Sequence, residues 1–229
     1  MGEKASRGKS LDTQKKNAAT YLHYLLLARP DFLVAQGLLT IGDGVMFLVG
    51  TGGVGIQQLK VTWEDENLYR FLYAFIYRLY DPSDFADPSY TRTEFNEKTS
   101  EVTYTVRIGT EDHPGFRLIH ARNPFTTRTH VLSNPSGVLV GPERRLTVLK
   151  EQLRWTGRRF DEGTILTKIH KQRRVPGVVQ AVKIEVIKAP LSPKREKHRL
   201  GLEQMGSPFR SIPTAKKMLE TLFDLLEGN

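Results

Sequence analysis

"LTVLKEQLRW", residues 146–155, is followed after a short turn by "FDEGTILTKIHKQ", residues 160–172. The first stretch alternates so that Leu146, Val148 and Lys150 share one face of a predicted strand. The second has helical spacing, with Glu162 near the start of the helix. A strand lysine oriented by a helix glutamate can hold the phosphates of a nucleotide. The spacing by itself leaves open an ordinary surface lysine followed by a helix N-terminal acid.

The sequence on both sides of this stretch predicts a sheet with a helix inserted. Alternation of apolar and polar residues, or enrichment in β-branched ones, indicates strands in "EVTYTVRIGT", "FRLIHAR", "RTHVLS", "VVQAVKIEVI" and "REKHRLGLEQM". The segment "TAKKMLETLFDLLEG" predicts a closing helix. The basic run "SPKREKHR" we interpret as a solvated turn or hairpin end.

The first half predicts a helix, a three-stranded meander and a second helix. The first helix runs up to Pro30, and Asp43-Gly44 between two apolar runs is typical of a two-residue hairpin turn. "IQQLKVTW" follows as a third strand. "EDENLYRFLYAFIYRLY", residues 64–80, is the second helix, and it has an acidic start. We expect its buried stripe to consist of Leu68, Leu72, Phe75, Ile76 and Leu79.

A glycine motif lies inside this meander. Gly50, Gly52 and Gly55 spell G-x-G-x-x-G within "GVMFLVGTGGVG". A dinucleotide fingerprint needs a helix after the glycines, because the phosphates dock on the helix N-terminus. Strand-forming residues follow here instead, so we interpret the motif as a glycine-rich turn between two strands. An ATP-binding loop between strands would also need a lysine strand in a suitable order, and Lys60 does not provide it.

The composition changes between the two halves. "DPSDFADPSYTRTEFNEKTS", residues 81–100, is rich in Pro, Ser, Asp and Thr, as linkers are. We therefore predict an α+β chain with an amino-terminal α/β region at 1–85, a linker at 86–102 and a second domain at 103–229. This second domain we expect to be an antiparallel sheet with one helix inserted.

Charge and composition limit the possible partners. The net charge is +9, and residues 101–229 hold 23 basic against 13 acidic side chains, whereas residues 1–100 hold 11 against 12. A basic second half favours nucleic acid, nucleotide phosphates or acidic partners. The chain has no cysteine, no apolar signal segment and no long apolar stretch. We therefore expect an intracellular protein, cytoplasmic or nuclear, without a disulfide framework or a membrane contact.

The order of motifs resembles the fungal-type protein kinase family over nearly the whole chain. "VLKEQLRW", then "RRFDEGTILTKIHKQRRVPGVV", then "HRLGLEQMGSPFRSIPTAKKMLETLFDLLEGN" is similar to the amino-terminal lobe of these kinases. "RPDFLVAQGLLTIGDGVMFLVGTGGVG", with the tryptophan, helix and "DPS" segment that follow, is similar to their nuclease-like upstream region. The resemblance implies a kinase-like small lobe after an α/β region.

The resemblance also implies site residues and a cofactor. Lys150 matches the lysine that contacts the phosphates of ATP, and Glu162 matches its helix partner. The stretch 203–206 matches the hinge, so the backbone at Glu203 and Met205 would hold the adenine. No metal site is implied within this chain.

The sequence departs from the family at several points. The position of the glycine-rich loop falls near "ARNPFTTRTHVLS", residues 121–133, which has no glycine. No H-R-D base motif and no D-F-G metal motif occurs in the sequence. Glu3 and Lys4 lack the spacing and the second carboxylate of a nuclease site. We therefore expect a fragment or pseudokinase that binds ATP weakly, without phosphotransfer or nucleic-acid cleavage in this form.

Two other functions remain open. A nucleic-acid-binding module would use basic residues of the second half, namely Arg154, Arg158, Arg159, Lys168, Lys171, Arg173 and Arg174. A scaffold would cover the apolar surface of the lobe with a protein partner or a second copy, through Leu219, Leu222, Phe223, Leu225 and Leu226. The six histidines are scattered, and we interpret them as surface or packing residues.

Overall fold

The computed structural model describes residues 11–126, 128–140, 144–157, 160–175, 178–188, 194–204, 206, 213–217 and 219–220. Their fold is α+β, as the sequence predicts. Besides a short 3-10 helix at Pro82–Phe85, the elements within these residues are α1 (Leu11–Ala28), β1 (Val34–Ile41), β2 (Gly44–Thr51), β3 (Gly55–Thr62), α2 (Leu68–Tyr80), β4 (Tyr90–Asn96), β5 (Glu101–Ile108), β6 (Glu111–Ala121), β7 (Thr129–Val140), β8 (Arg144–Trp155), α3 (Glu162–Ile169), β9 (Ala181–Lys188) and β10 (Arg195–Leu202).

The chain divides into two compact units. The first contains the residues up to Thr91 together with Ala121–Arg128, and the second contains Arg92–His120 and the residues from Thr129 onward. The segment 86–102, which we expected to be a linker, contains strand β4, and the boundary between the units lies inside that strand. Ala121–Arg128 was not expected in the first unit, because its return there depends on contacts between residues far apart in sequence, such as Arg128 with Arg29.

The first unit is a three-stranded antiparallel meander between two helices. The strand order is β1-β2-β3, and Val49 pairs with both Gln36 and Gln57 across the sheet. One face packs on α1 through a cluster that includes Leu22, Leu26 and Met46. The other face packs on α2 through Val45, Phe47, Val61 and Leu68. Burying both faces of a small sheet in this way stabilises the unit.

The two turns of the meander differ in detail from the expectation. Ile41 pairs with Gly44, so the first turn consists of Gly42 and Asp43 rather than Asp43-Gly44. Gly44 instead allows strands β2 and β3 to approach closely, since a Cβ there would lie 2.1 Å from the Val61 carbonyl oxygen. The second turn is the predicted glycine-rich turn between strands, and Gly53 has a φ of 75°, a conformation that favours glycine.

Helix α2 buries less of its surface than its sequence predicts. Leu68 is buried, and Leu72 and Phe75 pack partly against the sheet. Ile76 and Leu79 were expected in the same stripe, but both are more than half exposed. The prediction fails for these two because a helix so rich in apolar residues has more than one apolar face, and the small sheet covers only one of them.

The second unit is a seven-stranded sheet with the order β4-β5-β6-β7-β8-β10-β9. The β5–β6, β7–β8, β8–β10 and β10–β9 pairs are antiparallel. Strands β5 and β10 are separated by three strands in this order, yet the Arg199 guanidinium donates to the Arg107 carbonyl at 2.5 Å. The sheet is therefore curled, and its core includes Tyr104, Phe116, Leu132 and Leu149.

Strand β10 corrects the interpretation of the basic run. Arg195, Lys197 and Arg199 alternate along this strand, and all three side chains are buried rather than solvated. Strand β10 lies between β8 and β9 within the sheet, so its side chains meet partners on both sides. The closing helix lies mostly outside the described residues, of which 215–217 and 219–220 are helical.

Candidate functional site

Lys150 lies in the middle of strand β8, where it pairs with Val131 of β7 and Leu200 of β10. The neighbouring strands hold its backbone on both sides. Its side chain is half-buried and reaches the helix that follows the strand: the Nζ atom lies 2.5 Å from Glu162 Oε2. The structure therefore brings together the lysine and the glutamate that the sequence singled out.

Glu162 is the first residue of α3, and the start of that helix is fixed by its neighbour Asp161. Asp161 Oδ2 accepts hydrogen bonds from the backbone nitrogen of Thr164 at 2.7 Å and from its hydroxyl at 2.9 Å. Asp161 is therefore the N-cap of α3, and it accepts a hydrogen bond from a backbone N–H that has no acceptor within the helix. Gly163 lets the helix approach β9 closely, since a Cβ there would lie 2.8 Å from Ile184.

Arg154 ties this helix start to the sheet. Its buried guanidinium donates to Asp161 Oδ1 at 2.5 Å and to the Phe160 carbonyl. Burial acts to raise the pKa of Asp161, but the hydrogen bonds from Thr164 and Arg154 outweigh it, and the net pKa is lowered. Asp161 is thus held as a carboxylate that joins the N-cap to strand β8. Its role was not anticipated from the sequence, although an aspartate just before a helical run is a recognisable cap signal.

His198 completes the surroundings of Asp161. Its Nδ1 lies 3.3 Å from Asp161 Oδ1, and its Nε2 lies 3.4 Å from Glu196 Oε2. From the sequence we interpreted this histidine as a surface or packing residue, because the Asp161 carboxylate beside it lies 37 positions earlier in the chain. In the described part of the chain no group of three or more histidine, cysteine or acidic side chains could hold a metal ion.

The cavity between β8, β10 and the start of α3 is small. Its volume is about 20 Å³, enough for a single water. Lys150, Glu162 and His198 all line it. A nucleotide does not fit inside this cavity, so a phosphate could reach Lys150 only from the solvent side, where its side chain is partly exposed.

The predicted hinge begins where strand β10 ends. The backbone nitrogen of Glu203 donates to the Gln180 carbonyl at 3.2 Å, and its carbonyl accepts from the Thr147 hydroxyl at 2.7 Å. Its carboxylate lies 3.3 Å from Arg174 Nη2. Both backbone groups of Glu203 are therefore already used within the unit. Met205, the other predicted hinge residue, lies outside the described residues.

The segment at the position of the glycine-rich loop has other contacts. Phe125 packs against the hydrophobic cluster beneath α1. Arg128 is buried, and its guanidinium donates to the carbonyls of Arg29 at 3.1 Å, Pro30 at 3.3 Å and Phe32. The Arg128 guanidinium thus caps the chain just after α1, where backbone carbonyls lack helical partners. Phe125 and Arg128 thus anchor the first part of this segment within the first unit, whereas Thr129–Ser133 belongs to strand β7 of the second unit.

The basic residues proposed for nucleic-acid binding fall into different environments. Arg154 is buried in its pair with Asp161, so it is unsuitable for a phosphate contact. Arg158 and Arg159 lie outside the described residues. The exposed members follow each other at the end of α3 and in the turn after it: Lys168, Lys171, Arg173 and Arg174.

A buried ionic cluster behind Lys150 was missed by sequence reasoning. Glu151 Oε1 lies 2.8 Å from Lys197 Nζ and 2.5 Å from Arg199 Nη2. Glu185 Oε2 lies 3.5 Å from Arg199 Nη1. The signal that could have indicated it is the strict alternation of basic residues in β10, which on an interior strand places several cations on one face.

The first unit contains a groove in a place where we predicted no site. It has a volume of about 640 Å³ and lies between the sheet and α2, with mostly apolar lining that includes Phe47, Leu59 and Phe75. Gln36 Nε2 donates to the Phe75 carbonyl at 3.3 Å within it. Its one charged lining residue, Arg78, forms an ion pair with Asp84. None of the predicted site residues lines this groove.

No protein-family model, curated protein or solved structure matches this chain. Among the described residues, no helix is both long and apolar enough to cross a membrane.

Proposed function

We propose that the second unit binds a nucleoside triphosphate through Lys150, as a kinase-like small lobe of the fungal-type protein kinase class. The observation that carries the proposal is the 2.5 Å contact between Lys150 Nζ and Glu162 Oε2, which joins a central strand to the helix after it. A glutamate on such a helix orients the lysine toward the phosphates of ATP. ATP bound with magnesium is the proposed ligand.

The contacts around this pair favour weak binding without phosphotransfer in this form. Both backbone groups of Glu203 are occupied, so the adenine would gain little there. The segment with Phe125 and Arg128 contributes no glycine backbone to the phosphates. Lys150 would therefore supply the main attraction, as a positive charge beside the triphosphate. The sequence contains neither of the kinase base and metal motifs.

Calorimetric titration with ATP and magnesium tests this proposal. We expect saturable binding by the wild type and a loss of about tenfold or more in affinity for Lys150→Ala, since a hydrogen bond to a charged group contributes about 1.5–3 kcal/mol. Glu162→Gln should also weaken binding, because the lysine loses its orienting charge. Lys98→Ala removes an exposed lysine from the same unit and serves as the control. Absence of binding by the wild type, or equal affinity for Lys150→Ala, would refute the nucleotide site.

A second candidate function is binding to nucleic acid through the exposed basic residues after α3. Lys168, Lys171 and Arg173 are solvent-exposed, and their charges follow each other closely along the chain. Fluorescence anisotropy with a labelled single-stranded oligonucleotide should then show affinity that falls steeply with salt. Replacing Lys171 and Arg173 by glutamine should reduce the slope of that salt dependence. Failure of the wild type to bind at low salt would remove this candidate.

A further inference from the structure

Helix α2 presents a row of aromatic residues on its outer face. Tyr69, Tyr73, Tyr77 and Tyr80 recur at helical spacing, and Ile76 lies between them. With about 100° of rotation per residue, these five side chains fall within an arc of about 100°. We call them the tyrosine stripe. The residues of α2 that contact the sheet, Leu68, Leu72 and Phe75, lie on a different face.

The stripe is exposed to a degree unusual for so many large side chains. The exposed fractions are 81% for Tyr69, 73% for Tyr73, 50% for Tyr77 and 88% for Tyr80, and Ile76 is about half exposed. The rings of Tyr73 and Tyr77 stack on each other, with centroids 6.4 Å apart and planes 21° from parallel. Contiguous apolar surface of this kind is typical of protein interfaces, in which tyrosine is enriched.

The size of the stripe matches one side of a modest interface. An aromatic side chain carries roughly 200 Å² of surface, so the exposed fractions of the four tyrosines amount to roughly 600 Å². A standard protein interface buries about 800 Å² on each partner. Ile76 and the polar residues beside the stripe would supply the remainder.

The charges beside the stripe indicate which partner fits it. Arg70 lies near the start of α2 and Asp81 lies just after its end, and both are exposed. Counting along the helix places them on the same flank of the stripe, about 20° apart. Two copies of α2 can pack antiparallel with Tyr69 of one copy opposite Tyr80 of the other. In that arrangement Tyr73 of one copy contacts Ile76 of the other. Arg70 of each copy then approaches Asp81 of the other copy. The surface is thus complementary to itself, as a two-fold interface requires.

We propose that the tyrosine stripe of α2 is the contact surface of a homodimer, in which two α2 helices pack antiparallel about a two-fold axis. The proposal does not rest on the nucleotide site, since all residues of the stripe and its flanking charges belong to the first unit, whereas Lys150 belongs to the second. It also differs from the lobe surface around Leu219 that the sequence indicated. The interface is tyrosine-rich, with one pair of opposite charges at each end.

Sedimentation and light scattering over a wide range of protein concentration test the dimer. The wild type should associate as concentration rises. Tyr73→Arg should remain monomeric, because the two copies of residue 73 lie close together near the two-fold axis and two cations there repel each other. Tyr21→Arg changes a tyrosine of α1 that is also exposed and lies off the stripe, so it should dimerise like the wild type. Thermal unfolding of both variants verifies that they are folded.

Charge exchange tests the antiparallel arrangement. Arg70→Asp should weaken association, because the new carboxylate faces the Asp81 carboxylate of the other copy. The double exchange Arg70→Asp with Asp81→Arg should restore association. The chain has no cysteine, so in a disulfide-trapping experiment only the introduced cysteines can cross-link. Tyr69→Cys together with Tyr80→Cys should cross-link two chains on oxidation. Tyr69→Cys alone should not, because its two copies would lie about 16 Å apart, beyond disulfide reach.

Three results would overturn the proposal. They are a wild type that stays monomeric at every concentration, a dimer unaffected by Tyr73→Arg, and efficient cross-linking by Tyr69→Cys alone. A monomer that binds single-stranded oligonucleotide through Tyr73 would instead make the stripe a base-stacking surface.

Discussion

Arg199 Nε lies 2.8 Å from Glu151 Oε1, joining two neighbouring strands across 48 positions of sequence. Both side chains are almost fully buried, and Lys197 Nζ lies 2.8 Å from the same carboxylate oxygen. Two cations therefore share one buried anion, with Glu185 nearby as a second acid. The cluster lies in β8 and β10, the strands that also carry Lys150 and His198, and so belongs to the sheet on which the candidate site is built.

Removing the shared carboxylate should strongly destabilise the protein. Glu151→Ala leaves Lys197 and Arg199 buried without their common partner, and breaking a buried ion pair costs about 3–5 kcal/mol in the free energy of unfolding. Lys60→Ala breaks the exposed pair with Asp43, for which little or no loss of stability is expected because solvent screens the two charges. Urea unfolding of both variants measures the difference. A loss for Glu151→Ala no larger than that for Lys60→Ala would contradict the structural importance of the cluster.

Asp161 should make stability depend on pH in the acid range. Its pKa is lowered in the folded state, so its carboxylate stabilises the fold fully above the unfolded-state pKa of about 3.9. That stability is lost as the pH falls through the lower folded-state value. Asp161→Asn keeps a capping oxygen but lacks the charge.

Unfolding midpoints of the wild type and Asp161→Asn as a function of pH measure this effect. The wild type should be the more stable protein near neutral pH, and the gap should close on strong acidification. Glu66→Gln removes an exposed carboxylate from the other unit and serves as the control variant. A gap that stays constant down to strong acid would show that the charge of Asp161 contributes nothing.

Gly44 should tolerate no side chain, in contrast with Gly42 two positions earlier. A Cβ at residue 44 would clash with the Val61 carbonyl oxygen, whereas none of the surrounding atoms lies within 4 Å of a Cβ at residue 42. Gly44→Ala should therefore cost at least about 1–3 kcal/mol, as overpacking does, by pushing β3 away from β2. Gly42→Ala should be close to neutral. Chemical denaturation compares the two, and equal effects would contradict the close approach of the strands.

Arg128 should stabilise the first unit through the carbonyls after α1. Arg128→Met leaves the carbonyls of Pro30 and Phe32 without this donor, and a buried acceptor that loses its partner costs about 1–3 kcal/mol. The Arg29 carbonyl keeps the Phe32 backbone N–H as a donor. Arg122→Met changes an exposed arginine of the same segment and is the matched control. Hydrogen exchange should show faster opening of the end of α1 in Arg128→Met only. Unchanged protection there would mean that the guanidinium contributes no stability to this turn.

The sequence by itself determined the local elements and the spacing of the candidate pair. Alternation predicted the strands around Lys150, and helical spacing with an acidic start predicted α3 with Glu162 in its first turn. The strand-forming residues after Gly55 predicted a turn between strands rather than a helix that binds a cofactor. These features depend on contacts within a few residues, so short-range periodicity in the sequence predicts them.

Tertiary structure alone decided which charges are buried and which apolar residues are exposed. The cations of β10 are buried because Glu151 faces them from the neighbouring strand, and a short window of sequence cannot contain that partner. His198 lies beside Asp161 for the same reason. Ala121–Arg128 returns to the first unit through contacts nearly 100 residues away in sequence. The tyrosines of α2 remain exposed because the three-stranded sheet is wide enough to cover only one face of that helix.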